Sequence, residues 1–231
     1  MTAMNSSGAH ILDNAVWAAL SGPQSVIAQV NGLARRYPAD VSPFGAIADH
    51  QVGQAWIDLA ELIGPGGTIV LTGSELQVPH GWKIINGGEG FQMLGDEVLG
   101  LSDDDAVPLG IADVPEMLDL VARTEPGPFL PGTWELGGYL GIRIDGVLAA
   151  MAGCRFHAPG WREISAVCTD SAYQGRGLAG RLVRAIVANI KAEGDYPFLH
   201  VSKTNENAIR LYEALGFKTR SIGGFALIQA P

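Results

Sequence analysis

The segment with the strongest chemical signature is Tyr173-Gln174-Gly175-Arg176-Gly177-Leu178-Ala179-Gly180. It lies between a stretch that reads as a strand and a long amphipathic pattern that reads as a helix. Glycines let a backbone come close to a ligand and free successive N–H groups to point at it. The first turn of the following helix adds unpaired donors and the positive end of its dipole. Together they suit a phosphate, even on an acidic protein. The same glycines also suit a tight loop packed on a sheet. Gly175-x-Gly177-x-x-Gly180 matches the dinucleotide fingerprint as well, but three features oppose that reading. Residues 170–174 separate it from the strand, the next strand FLHVS does not end in a ribose-holding acid, and too little chain remains for a doubly wound sheet.

Other reactive side chains are isolated. Cys154 and Cys168 are the only cysteines, so neither a disulfide framework nor a paired-cysteine zinc site is expected, and both read as small buried residues. His10, His50, His80, His157 and His200 lack the short spacings of a metal motif. On residue type alone, Tyr212 is an aromatic on a buried helical stripe with Ala208 and Leu215. Glu163 is an exposed acid at a strand start, and His200 packs across strands.

The elements that must position these residues divide the chain in two. Residues 1–9 read as a loose tail, and Asp13 as the cap of a short helix through AVWAAL. A helix fits 54–63 and stops at Gly64-Pro65-Gly66-Gly67. A strand fits 68–73, and segments 82–85 and 91–94 flank NGGEG as a hairpin or glycine-rich loop. The acidic run 96–106, with five acids and no base, reads as a solvated connection, with a domain boundary near residue 95. After it come a short strand at 107–110, a helix capped by Asp113 with Pro115 just inside, and a hairpin turning at Asp145-Gly146. A strand at 163–169, a helix at 178–192, a strand at 198–202 and a helix at 205–215 follow. Strands at 218–222 and 225–229 end the chain. This is an α+β layout with a mixed sheet.

Composition narrows the function. The 231 residues carry a net charge of −9 and no basic run, which disfavours nucleic-acid binding. The N-terminus lacks the n- and h-regions of a signal peptide, and no apolar run approaches the ~20 residues of a membrane span. A cytoplasmic setting is the default.

Gln174-Gly175-Arg176-Gly177-Leu178-Ala179 resembles the Gln/Arg-x-x-Gly-x-Gly/Ala phosphate loop of the GCN5-related N-acetyltransferases. The run 197–217 resembles the FR47-like and glycine N-acyltransferase-like branches. Their Asn-x-x-Ala-x-x-x-Tyr-x-x-x-Gly-Phe recurs as Asn205, Ala208, Tyr212, Gly216 and Phe217. The likeness covers roughly the last 130 residues, about one domain.

The resemblance implies a GNAT acyl-CoA N-acyltransferase fold and acetyl-CoA as co-substrate, without a metal. Acetyl-CoA would lie between two splayed strands, 163–169 and 198–202. Backbone groups near Val167 and Thr169 would pair with the pantetheine, the Val167 amide polarising the thioester. Gln174 and the amides of Gly175, Arg176, Gly177, Leu178 and Ala179 would hold the pyrophosphate, with Asn205 reaching the pantetheine arm. Tyr212 would be the general acid toward the departing sulfur. Glu163, eleven residues before Gln174, would be the base, with His200 or a water relay as alternatives. Strand alternation puts Glu163 beside Val167 and Thr169 unless a bulge intervenes. The acceptor would be a small-molecule or peptide amine. Residues 1–95 would be a degenerate half-copy of the fold, a homodimer-forming element or a wall of the acceptor site. Two alternatives to the enzyme stand beside it, a non-catalytic acyl-CoA-binding regulatory domain and a dinucleotide-binding protein.

Overall fold

The computed structural model describes residues 10–73 and 76–231, so the expected tail at 1–9 lies outside the described residues. The elements are α1 (Ala15–Ser21), β1 (Gln29–Asn31), β2 (Ala34–Arg36), β3 (Gly45–Ile47), α2 (Gly53–Ile63), β4 (Thr68–Gly73) and β5 (Lys83–Leu94). They continue with β6 (Ala106–Pro108), α3 (Val114–Thr124), β7 (Leu140–Ile144), β8 (Val147–Ala158), β9 (Trp161–Thr169), α4 (Leu178–Ala192), β10 (Tyr196–Ser202), α5 (Glu206–Leu215) and β11 (Lys218–Gln229). No described helix is long and apolar enough to cross a membrane.

Eight strands form one mixed sheet in the order β4-β11-β5-β10-β9-β8-β7-β6. Only β9 and β10 run parallel, because α4 carries the chain back over the sheet between them. The apolar stripe of α4 (Leu178, Leu182, Val183, Ile186, Val187, Ile190) is buried on one face against Ile164, Leu199 and Val201. On the opposite face α3 buries Met117 and Leu120 against Met151 and Cys168, and α1 buries Val16 and Leu20 near Phe156, Trp161 and Phe198. A small sheet, β1-β2-β3, packs with α2 on the β4–β11 end through Ala34, Ile47, Trp56, Leu59 and Ile228.

The sheet runs straight across residue 95. β5 comes from the chain before that point, yet it is inserted between β10 and β11 and is antiparallel to both. NGGEG is therefore mid-strand, not a turn. A Cβ at Gly87 would sit 2.8 Å from the Phe225 carbonyl oxygen, and one at Gly90 would sit 2.7 Å from that of Val201. These glycines permit close backbone approach. The expected break at 223–224 is also absent, and β11 is one strand with bulges near Arg220 and between Leu227 and Ile228.

Two local expectations change. Asn14 caps α1 by accepting from the Trp17 N–H, whereas Asp13 accepts from the His10 N–H and pairs with Arg220. The acidic run 96–106 is anchored, not free: Arg181 of α4 pairs with Asp103 and Asp105 at 2.6 Å, and Lys191 donates to the carbonyls of Asp96 and Val98. The Asp145-Gly146 turn forms as expected, with φ of 51° and 83°.

Candidate active site

The strands β9 and β10 pair only from Trp161–Ile164 against Tyr196–Leu199. Beyond that point they separate, while β9 continues to Thr169 and β10 to Ser202. A cavity of about 820 Å³ opens into this gap, and Val167, Thr169, Gln174, His200, Asn205 and Tyr212 all line it. The Thr169 hydroxyl is buried there with no hydrogen-bond partner among the described residues. An unsatisfied buried hydroxyl facing a cavity is a position where a ligand atom compensates a cost of about 1–3 kcal/mol.

The glycine segment follows Gln174, which lines the cavity, while Gly175, Arg176, Gly177, Leu178 and Ala179 lie outside its wall. Gly175 and Gly177 have φ of 76° and 74°, the left-handed region that side chains resist. A Cβ at either would meet nothing within 4 Å, so conformation and not space demands glycine. The backbone amides from Gln174 to Gly180 donate to no acceptor among the described residues. A row of free N–H groups entering a 15-residue helix is the arrangement that holds a phosphate. Arg176 lies over the Tyr173 ring, its guanidinium carbon 5.4 Å from the centroid. Arg181 is committed to Asp103 and Asp105. Gly180 faces α5 at ordinary contact distance, 3.6 Å from Leu211, so the third glycine of the fingerprint is a helix-packing residue.

Asn205 caps α5, its side chain accepting from the Ala208 N–H at 3.1 Å. About two turns later Tyr212 is 8% exposed, packed edge-on to Phe217 at 5.8 Å. Burial pushes its phenol up to about 12, so it is a proton donor throughout the neutral range.

Glu163 does not stand where strand alternation placed it. Ala166 has φ of 53°, and the β8–β9 register slips between Met151↔Cys168 and Gly153↔Ser165. This bulge shifts the alternation by one residue, so that Ile164 and Val167 both pack toward α4. Glu163 faces the other side, is wholly buried, and is not part of the cavity wall. Arg155 grips it with two bonds, Nε to Oε2 at 2.8 Å and Nη2 to Oε1 at 2.7 Å. Burial works against its charge, but Arg155 and His200 outweigh that and hold the carboxyl at about 2. A carboxylate so occupied cannot take a proton from an acceptor directly. Cys154 and Cys168 are buried thiols pushed up to about 12 and about 11, mainly by desolvation, which removes them as nucleophiles.

A polar chain at the cavity links elements far apart in sequence. His200 Nδ1 meets Glu163 Oε1 at 2.7 Å, and its Nε2 meets Gln92 Nε2 at 3.0 Å. Gln92 also donates to the Leu12 carbonyl at 2.9 Å and accepts from Arg220. Arg220 reaches on to Asp13 at 2.6 Å. Gln92 and Arg220 carried no signal in the sequence, because nothing local announces that β5 lies beside β10. The cavity wall on this side also draws Leu12, Phe44, Val70 and Asn86 from the first 95 residues. Among the described residues no group of His, Cys, Asp and Glu is placed to hold a metal ion.

A solved GNAT-family structure from Novosphingobium aromaticivorans is 42% identical, with a TM-score of 0.89, covering 96% of this chain and 100% of that one. The chain belongs to the GNAT family. Within it, the FR47-like family model matches residues 139–223. A GCN5-related N-acetyltransferase from Kribbella flavida, 18% identical over 94% of this chain and 95% of its own, has the same fold with a TM-score of 0.60. The N-alpha-acetyltransferase RimI of Mycobacterium tuberculosis is 35% identical over 83 residues, which are 35% of this GNAT chain and 51% of that protein. A mycothiol acetyltransferase of Corynebacterium glutamicum is 42% identical over 62 residues, 26% of this chain and 21% of its own length. The matches to these curated relatives thus span about half of one and a fifth of the other.

Proposed function

We propose that this GNAT protein transfers the acetyl group of acetyl-CoA to a primary amine of a small molecule or peptide, by direct attack of nitrogen on the thioester. The observation that carries this reading is the row of unpartnered amides at Gln174 to Gly180 beside a gap between two parted strands. Gly175 to Ala179 hold the pyrophosphate. The edge of β9 at Val167 and Thr169 pairs with the pantetheine, and the Val167 amide polarises the thioester carbonyl. Asn205 reaches the pantetheine arm. Tyr212 delivers a proton, or a hydrogen bond, to the departing sulfur. The amine enters from the opposite face, past the wall built by Leu12, Phe44 and Asn86, which gives the first 95 residues a role in the acceptor site. That the named relatives are acetyltransferases, one acting on α-amines, supports the same chemistry.

The test is a library of alkylamines, arylalkylamines, diamines and short peptides, screened for thiol release from acetyl-CoA. Tyr212→Phe is expected to lower turnover about 100-fold while calorimetry finds coenzyme A affinity nearly intact. Unchanged turnover would remove Tyr212 from the mechanism. Coenzyme A binding with no amine acetylated would identify a non-catalytic acyl-CoA-binding domain, and binding of NAD(H) in place of coenzyme A would identify a dinucleotide protein.

A further inference from the structure

Bringing an amine into this cavity leaves a question of where its proton goes. An alkyl ammonium carries a pKa near ~10.4, so at neutral pH it must be deprotonated before it attacks. Glu163, the carboxylate expected for that task, is wholly buried under its bond to Arg155. Between it and the cavity stands His200, whose side chain is 31% exposed and lines the gap.

The hydrogen bonds around His200 determine which nitrogen carries its proton. Arg220 donates to Gln92 Oε1, so the amide must turn its NH2 toward Leu12 and His200. Gln92 is then a donor to Nε2, and Nε2 must accept. On the other side Nδ1 faces the ionised Glu163 carboxylate at 2.7 Å, which can only accept, so Nδ1 carries the proton. The charged groups around the imidazole are Glu163 from β9, with Arg155 of β8 behind it, and Arg220 of β11, which reaches it through Gln92 and has Asp13 behind it.

We propose that His200 is the base that takes the acceptor's proton, through Nε2. Glu163 is a positioning residue that keeps the ring in the tautomer with that nitrogen unprotonated. The proposal rests on the acetyl-transfer reading and deepens it. An incoming ammonium is a charged donor, stronger than the neutral Gln92 amide, and displaces it from Nε2 while the amide keeps its bond to Leu12. The amine gives one proton to His200 and attacks the thioester carbon. The C–S bond then breaks as Tyr212 gives its proton to the sulfur, which leaves as a thiol, and the second nitrogen proton passes to the Tyr212 oxygen and restores the phenol. The products are an N-acetyl amine and coenzyme A, with one proton released to solvent from His200.

The experiment compares parent, His200→Gln and Glu163→Gln proteins with the best amine of the library screen, alongside nitrogen-15 NMR of the imidazole rings. His200→Gln is expected to lower kcat by about 100-fold or more, with coenzyme A affinity by calorimetry within about twofold. In the parent, NMR should find the His200 proton on Nδ1. Glu163→Gln removes the charge that holds the Nδ1 proton in place, so kcat should fall without change in KM for acetyl-CoA. Because Glu163→Gln strands the Arg155 charge and endangers folding, His200→Gln alone suffices to decide. A parent that acetylates amines while His200→Gln matches its rate overturns this proposal and leaves acetyl transfer standing. A parent proton on Nε2 overturns it too. A parent that binds coenzyme A but acetylates nothing sinks the acetyl-transfer reading, and His200 with it.

Discussion

The loop at residues 174–180 and the strand β5 both carry clustered glycines, and they use different properties of the residue. In the loop, Gly175 and Gly177 adopt positive φ with empty space where a Cβ would be. In β5, Gly87 and Gly90 take no such angle but lie where a Cβ would collide with the backbone of β11 or β10. The first cluster needs glycine for its angles, the second for its missing atom. One leaves a surface of amides with no acceptor among the described residues. The other lets three strands close on one another and so builds the floor that carries Gln92 to His200.

Substitutions can pull these two uses apart. The largest effect on stability is expected at Gly90→Val, which sets branched atoms against the Val201 carbonyl. Overpacking of this kind costs about 3 kcal/mol, a fall in Tm of several degrees in thermal unfolding. A Tm unchanged by that substitution would mean β5 is not wedged between β10 and β11. Gly177→Ala is expected to cost about 1–2 kcal/mol of backbone strain and to weaken coenzyme A binding at least tenfold by calorimetry, because relaxing the angle turns an amide away. If it unfolds like Gly90→Val but binds normally, the contrast between the two clusters is void. The smallest effect should come from Gly180→Ala. It lies in α4 with room for a methyl, so helix propensity predicts a gain of about 0.5–1 kcal/mol in denaturant unfolding and unaltered coenzyme A binding. A loss of binding there would restore the dinucleotide reading, in which the third glycine matters.

The legible parts of the chain were those whose code is local. The α4 stripe, the Asn205 cap, the Asp145-Gly146 turn and the loop before α4 each depend on residues within a few positions of one another, and all occur where the sequence put them. The misread parts were pairings over long distances. NGGEG looks like a turn because glycine in isolation favours turns, but two flanking strands hold it extended. Glu163 looked like a cavity-facing base because alternation in a strand has period two, and a single bulge at Ala166 reversed it. The boundary near residue 95 followed a real change in composition, yet backbone hydrogen bonds cross it.

By itself the amino-acid order determined that this protein would hold a glycine turn at the head of an amphipathic helix, a capped helix presenting Tyr212, and a sheet between them. Helix periods, caps and turn angles are set by neighbours in the chain. Only the tertiary structure decided that β9 and β10 part after Leu199, that β5 crosses to lie beside β10, and that Glu163 withdraws behind His200. Strand neighbours and buried ion pairs are chosen by burial and desolvation summed over the whole sheet, and no local stretch of residues encodes that sum.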